Sequence, residues 1–213
     1  ELHPSQRTPH REVLKHGQGL FKEVVEIKDS SIRDKIRQTI LLGYLKDTVL
    51  PRTIEDATLN TLSTMIYFNQ VEIVNTLHQD AQYVRALFAL LQQEREPKAD
   101  ANSETFIDGV RLLQELCNMA KHLQAGPKTL FYGVMIEAGL FAILQRTLTH
   151  ADPVLRAGSV DMLHLIVLRD PSLLRRHLLQ QEPRVFFRTL VQRMAHDPIE
   201  GVQGQLLELI RSL

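Results

Sequence analysis

The sequence predicts an all-α fold, an armadillo/HEAT-like helical-repeat solenoid. Apolar residues keep to one broad helical stripe along several segments, of which 104–123 is typical. The stretch HADPVLRAGSVDMLHL (150–165) is echoed by HDPIEGVQGQLLELI (196–210), and its Asp-Pro pair recurs 45 positions later. A period in the forties is typical of armadillo and HEAT units, in which each helical hairpin buries its faces against its neighbours. Val, Ile and Thr do not alternate with polar residues, so strands are not expected.

A first helix is predicted over 30–49, with Ser30 and Ser31 as N-cap candidates and Pro51 marking its end. Three later segments each end one helix, turn, and begin another with an aromatic residue in the first turn. These residues, at spacings of 58 and 45, are Tyr83, Phe141 and Phe186. We expect them to occupy equivalent positions in successive repeats.

Asp-Pro pairs mark the helix starts that follow. A capping acid precedes a proline, which the first helical position tolerates because its missing N–H has no partner there. The predicted capping acids are Asp152, Asp170 and Asp197.

The organisation predicted from composition is simple. Residues 1–10 are a polar lead-in with two prolines, and 11–213 form one helical-repeat domain interrupted by a charged loop at 92–104. The chain has no initiator Met and stops inside an apolar-periodic segment, which we interpret as a fragment of a longer protein.

Charge and cysteine content bound the class of partner and the compartment. The chain carries 25 basic and 25 acidic residues, so no net charge draws it toward polyanions. One cysteine excludes an internal disulfide framework and fits a reducing compartment. We expect a nuclear and cytoplasmic location.

Motifs for catalysis or metal binding are missing from the sequence. The nine histidines form no HExxH and no i, i+4 pair, and no CxxC is present. Cys117 belongs to an apolar stripe and is interpreted as a core residue, with His122 on another side of the same helix. We therefore expect no enzyme activity, no cofactor and no metal.

One charge feature stands out between 169 and 193, where six arginines face two acids, a local charge of +4. These arginines are Arg169, Arg175, Arg176, Arg184, Arg188 and Arg193. Either they form a solvated helical face, or they dock an acidic or phosphorylated partner, since guanidinium pairs bidentately with carboxylate and phosphate. RNA is less favoured because Phe186 and Phe187, the nearby aromatic residues, are interpreted as core.

Several motifs resemble a known family. They are K-I-x-Q-T (35–39), Y-L-K-D-x-V-L-P (44–51) and F-N-x-V-E-I-V (68–74), followed by LLQELCNMAKHLQ (112–124). Together they resemble the central conserved domain of regulatory subunit 3 of protein phosphatase 4, the SMEK or falafel family, from about Phe21 to the C-terminus.

The resemblance implies a non-catalytic scaffold. Proteins of that family join a catalytic subunit and regulatory subunit 2 in a heterotrimeric Ser/Thr phosphatase, which they direct, largely in the nucleus, to substrates in DNA-damage repair, cell division and signalling. Expected partners are these two subunits and phosphoprotein substrates or acidic protein segments, without a membrane. The family's EVH1-like substrate-reading domain is absent from these residues. The alternative is a helical-repeat binder of phosphopeptide or nucleic acid through the arginines of 169–193.

Two motif segments and the arginines supply the candidate protein-binding residues. Either Tyr44 and Phe68 pack in the core while Asp47 and Asn69 bond or cap turns, or two helix ends meet in a partner surface. The candidates are Tyr44, Lys46, Asp47, Arg52, Asn69, Glu72, Arg175, Arg176, Arg184 and Arg188.

Overall fold

The computed structural model describes residues 22–49, 56–93, 104–180 and 184–213. Within these ranges the chain forms ten α-helices and no strand, which confirms the predicted all-α class. The helices are α1 (Ser30–Tyr44), α2 (Asp56–Gln79), α3 (Ala81–Gln93), α4 (Glu104–Ala120), α5 (Ala125–Ala138), α6 (Leu140–Thr147), α7 (Pro153–Arg169), α8 (Pro171–Gln180), α9 (Val185–His196) and α10 (Glu200–Ser212). A π-helical turn, Leu45–Val49, extends α1.

The chain divides into two compact units, residues 1–79 and 80–213. The predicted single domain over 11–213 stays a prediction, and the lead-in at 1–10 lies outside the described residues. The helices that flank the predicted loop 92–104 run to Gln93 and begin at Glu104, and 94–103 are not described.

In the first unit, α1 packs along α2. The N-cap of α1 is Asp29, whose Oδ1 accepts a hydrogen bond of 2.8 Å from the Ser31 amide. The prediction that Ser30 or Ser31 caps this helix was wrong by one residue, because the carboxylate ahead of them already accepts the exposed amide. Pro51, the predicted stop, lies outside the described residues.

The second unit is built on three helices that stack side by side, α4 on α7 and α7 on α10. Phe106, Leu155 and Val202 occupy matching buried positions near their N-terminal ends, 49 and 47 residues apart. Such stacking of equivalent helices is the packing of a helical-repeat solenoid, as the sequence predicted.

All three predicted first-turn aromatics lie where the sequence predicted them. Tyr83, Phe141 and Phe186 lie in the first turns of α3, α6 and α9, and all three are buried. His177 of α8 stacks on Phe141 with ring centroids 4.4 Å apart and meets Phe186 edge-on at 5.7 Å. This aromatic cluster holds α6, α8 and α9 together.

Gly139 makes the sharp turn between α5 and α6. Its φ of 114° lies in the left-handed region, and its amide bonds the carbonyls that end α5. The chain bends by 70° there to begin α6. A Cβ at this position would lie 3.0 Å from Nε2 of Gln92, so both conformation and space favour glycine.

Two of the three predicted Asp-Pro caps are confirmed. Asp152 accepts from the Val154 amide at 2.8 Å with Pro153 at the first helical position, and Asp170 accepts from the Ser172 amide at 2.9 Å. The third was wrong: α10 begins at Glu200, and the residue in its N-cap position is Ile199. The carboxylate of Asp197 instead pairs with Arg156.

Asp197 forms a buried ion pair with Arg156 of the preceding repeat. The Arg156 Nε donates to Oδ2 at 2.8 Å, and the two residues are 4% and 2% exposed. Nη1 of Arg156 donates to the carbonyls of His150 and Ala151 at 2.9 and 2.8 Å, so the guanidinium is held on several sides. Oδ1 of Asp197 also accepts from the Ile199 amide at 3.0 Å. The pair therefore joins the start of α7 to the turn between α9 and α10.

We expect Asp197→Ala to lower the free energy of unfolding by about 3–5 kcal/mol, because it leaves the Arg156 charge buried without its partner. Urea unfolding followed by circular dichroism measures the change. Replacing both residues, Arg156→Met with Asp197→Leu, should recover much of the loss, since no buried charge remains.

Glu208→Ala is the control, because Glu208 is exposed on α10 and its removal should change stability by no more than about 0.5 kcal/mol. An Asp197→Ala variant as stable as this control would show that the ion pair does not stabilise the fold.

His177 makes the second unit sensitive to acid. Burial lowers its pKa from the ordinary 6.5, and its Nε2 has no hydrogen-bond partner within the described residues. The unfolded chain therefore binds a proton more readily than the folded one, and the stability contributed by the neutral ring is lost as pH falls below about 6.5. His177→Phe keeps an aromatic ring and removes the titration.

The free energy of unfolding should fall less for His177→Phe than for the original chain between about pH 7.5 and 5.5. His122, whose pKa is lowered by burial and by Lys121 and Lys128, is present in both proteins and cancels in the comparison. Identical pH slopes would contradict the assignment to His177.

Candidate functional site

The predicted residues at the end of α1 form a small charged turn. Tyr44 is the last residue of α1 and is half-buried, and Lys46 and Asp47 follow in the π-helical turn. Nζ of Lys46 lies 3.5 Å from Oδ1 of Asp47, so their charges offset one another. Arg52 lies outside the described residues.

Asn69 and Glu72 lie in the middle of α2, so Asn69 does not precede a helix as predicted. Nδ2 of Asn69 donates to Oε1 of Gln38 at 3.1 Å, and Glu72 pairs with Lys35. The motifs K-I-x-Q-T and F-N-x-V-E-I-V are thus partners in a polar seam between α1 and α2. Asn69 therefore bonds Gln38 and caps no turn, and its predicted part in a partner surface stays a prediction.

The two pairs also fix how α1 lies on α2. Later residues of α1 face earlier residues of α2, so the helices run antiparallel. Tyr44 lies six residues beyond Gln38, about 9 Å farther along the helix axis and away from Asn69. Tyr44 therefore does not lie beside Asn69, and a partner surface made by the two motif segments stays a prediction.

An exposed apolar patch on α2 replaces the predicted core position of Phe68. Phe68 is 62% exposed, and Met65 and Tyr67 are each 40% exposed. The rings of Tyr67 and Phe68 meet edge-on at 5.4 Å. A signal for this was present, because four consecutive apolar residues, Met65 to Phe68, span more of a helix circumference than one buried face can cover.

The arginines of the second unit separate into two groups. Arg169 donates to Oγ1 of Thr129 at 2.5 Å, and Nη1 of Arg193 lies 3.8 Å from the buried Asp197. The other four, all exposed, are Arg175 and Arg176 on α8, Arg184 before α9, and Arg188 on α9. Arg175, Arg184 and Arg188 form no ion pair with any acid among the described residues. Hydrogen bonds from the side chain and backbone of Ser172 lower the pKa of Asp170 the most, and the nearby charges of Arg169 and Arg176 lower it further.

The aromatic residues beside these arginines differ from each other. Phe186 is fully buried, as predicted, but Phe187 is 41% exposed and the core interpretation was wrong for it. Adjacent helical positions point about 100° apart, and on α9 the buried face includes Phe186 and Leu190 but not Phe187.

Cys117 is fully buried in α4. Burial raises the pKa of its thiol to about 12, so the thiolate that a nucleophile requires is scarce at neutral pH. The core interpretation of Cys117 is confirmed. Among the described residues no group of three His, Cys, Asp or Glu side chains is arranged to hold a metal ion.

Within the described residues, no single helix is long and apolar enough to cross a membrane.

Fold and surface together define a class, the all-α helical-repeat proteins, with a buried inter-repeat ion pair and exposed arginines on two consecutive helices. The sequence model of the family described as Phosphatase 4 regulatory subunit 3 matches residues 1–213. This chain belongs to that family, whose members are regulatory subunits and not the catalytic enzyme.

Relatives agree with this assignment. The chain is 34% identical over 215 residues to Suppressor of Mek1 of Dictyostelium discoideum, covering 100% of this chain and 20% of that protein. It is 33% identical over 219 residues to Serine/threonine-protein phosphatase 4 regulatory subunit 3 of Drosophila melanogaster, covering 98% of this chain and 22% of that protein. The chain thus spans about a fifth of the length of these relatives. No solved structure matches it.

Cys117 should resist thiol reagents in the folded protein, because its thiol is both inaccessible and protonated. Reaction with 5,5′-dithiobis(2-nitrobenzoate) at mildly alkaline pH should be slow in buffer and fast in concentrated urea. The chain contains one cysteine, so the absorbance change reports this residue alone. Rapid labelling without denaturant would contradict the buried placement.

Proposed function

We propose that this chain is the helical-repeat scaffold of a phosphatase 4 regulatory subunit and that it binds protein partners in the holoenzyme. The partners proposed are the phosphatase 4 catalytic subunit together with regulatory subunit 2, or the substrates brought to them. Family membership supports the regulatory role, and the related Drosophila protein is named as a regulatory subunit of this phosphatase.

One structural observation carries the proposal. Four arginines, Arg175, Arg176, Arg184 and Arg188, are exposed on α8 and at the start of α9, while the opposite faces of both helices are buried. Leu174 and Leu178 anchor α8, and Phe186 and Leu190 anchor α9. The arginines are therefore presented by a packed scaffold and are not needed to hold it together.

The proposal is tested by co-elution of the 213-residue chain with the catalytic subunit bound to regulatory subunit 2. We expect co-elution at micromolar concentrations and its loss in the double variant Arg175→Glu with Arg176→Glu, since charge reversal repels an acidic partner. Arg85→Glu with Arg211→Glu is the matched control, because it reverses two exposed arginines elsewhere in the same unit.

The outcomes separate assembly from other roles. Co-elution that survives Arg175→Glu with Arg176→Glu keeps the assembly role and moves the contact to the apolar patch of Met65, Tyr67 and Phe68 or to the turn at 44–49. An absence of co-elution for the original chain would contradict the assembly role.

A second candidate, binding of phosphopeptide or nucleic acid, gains support from the exposure of Phe187 between Arg184 and Arg188. An aromatic ring beside cations can stack on a base. Salt discriminates this candidate, because phosphate-dominated binding of a simple single strand falls steeply as salt rises.

A further inference from the structure

Two consecutive helices of the second unit carry surface stripes of the same design. On α8 the stripe consists of Ser172, Arg175, Arg176 and Leu179, and on α9 of Arg184, Phe187, Arg188 and Val191. Both follow the spacing i, i+3, i+4, i+7, which places the members of each stripe on one side of the helix. We call them the α8 stripe and the α9 stripe.

Each stripe mixes cations with exposed apolar side chains. Leu179 is 65% exposed, Phe187 41% and Val191 37%, and all four arginines are exposed. The stripes contain no acid. Across the described residues, no carboxylate forms an ion pair with Arg175, Arg184 or Arg188.

The helices behind the stripes are packed against each other and against α6. His177 of α8 and Phe186 of α9 meet at 5.7 Å, and both contact Phe141, so α8 and α9 share one aromatic cluster. The stripes belong to this one packed group of helices, with the side chains outside it available for binding.

We propose that the two stripes bind a short acidic protein segment that carries apolar side chains between its acids. This inference rests on the proposed protein-binding function and names the chemistry of the partner. Carboxylates of the segment pair with the guanidinium groups, and its apolar side chains cover Leu179, Phe187 and Val191.

The composition of the stripes favours this ligand over a nucleic acid. A phosphate backbone satisfies arginines but gains little from Leu179 or Val191, because aliphatic side chains offer no flat face for a base. Apolar side chains that are covered on binding add to the affinity because they leave water. Arginine suits such a mixed surface, since its aliphatic stem packs on apolar groups while its charged end reaches a carboxylate.

The test uses a phage-displayed library of random peptides selected on the 213-residue chain, followed by anisotropy measurements with the enriched peptides. We expect enrichment of sequences in which Asp or Glu alternate with Leu, Phe or Ile. Their Kd should rise about tenfold or more in Arg184→Glu with Arg188→Glu, and again in Phe187→Ala, as expected for central contacts.

Arg85→Glu with Arg211→Glu serves as the charge-matched control and should leave Kd within about twofold, since both exposed arginines lie on other helices, outside the two stripes. Circular dichroism of each variant confirms that it is folded. Phe187→Ala is the sharper variant, because the exposed ring leaves no cavity in the core and changes no charge.

Four results would overturn the proposal. The first is that no peptide is enriched, and the second is that enriched peptides bind Arg184→Glu with Arg188→Glu and Phe187→Ala as tightly as they bind the original chain. The third is that enriched peptides need acidic residues but no apolar ones. The fourth is that single-stranded polyuridylate binds more tightly than the peptides. The co-elution experiment stands apart from all four, so loss of peptide binding with intact co-elution would remove this inference and leave the proposed function in place.

Discussion

The ion pair between Arg156 and Asp197 is the interaction on which the second unit most depends. A charge that leaves water loses several kcal/mol of solvation, and only a close partner with further hydrogen bonds offsets that loss. Here the guanidinium meets a carboxylate at 2.8 Å and two backbone carbonyls, and the carboxylate also accepts an amide. Because the two residues belong to successive repeats, their pairing sets how α7 sits against the α9–α10 turn.

Apolar packing around the pair keeps the same helices in register. Equivalent positions of α4, α7 and α10 are buried in successive repeats. The rings of Phe141, His177 and Phe186 hold α6, α8 and α9 together. The exposed faces of α8 and α9 take no part in this packing. The arginines on them can therefore be replaced at little expected cost to stability, and they remain available for binding a partner.

The first unit presents a different chemistry. Its family-typical motifs lie opposite one another, Lys35 with Glu72 and Gln38 with Asn69, as a polar seam between α1 and α2. The exposed large apolar side chains of this unit lie on α2, with Phe68 the most exposed. Helix pairing thus explains these four motif residues, and the basic stripes of the second unit and the apolar patch of the first offer two chemically distinct surfaces.

Local chemistry determined the helical class, the repeat period and the helix starts at Asp152 and Asp170, since periodicity and capping depend on neighbours in the chain. It also predicted core positions for Cys117 and Phe186, and both are buried. Only the tertiary structure decided the fate of residues whose partner lies far away in sequence. The sequence predicts Asp197 as a helix cap, but in the structure it pairs with Arg156, 41 residues away. It predicts Asn69 as a turn residue, but Asn69 bonds Gln38 on α1. It predicts Phe68 and Phe187 as core residues, but both are exposed, because burial depends on which face a neighbouring helix covers.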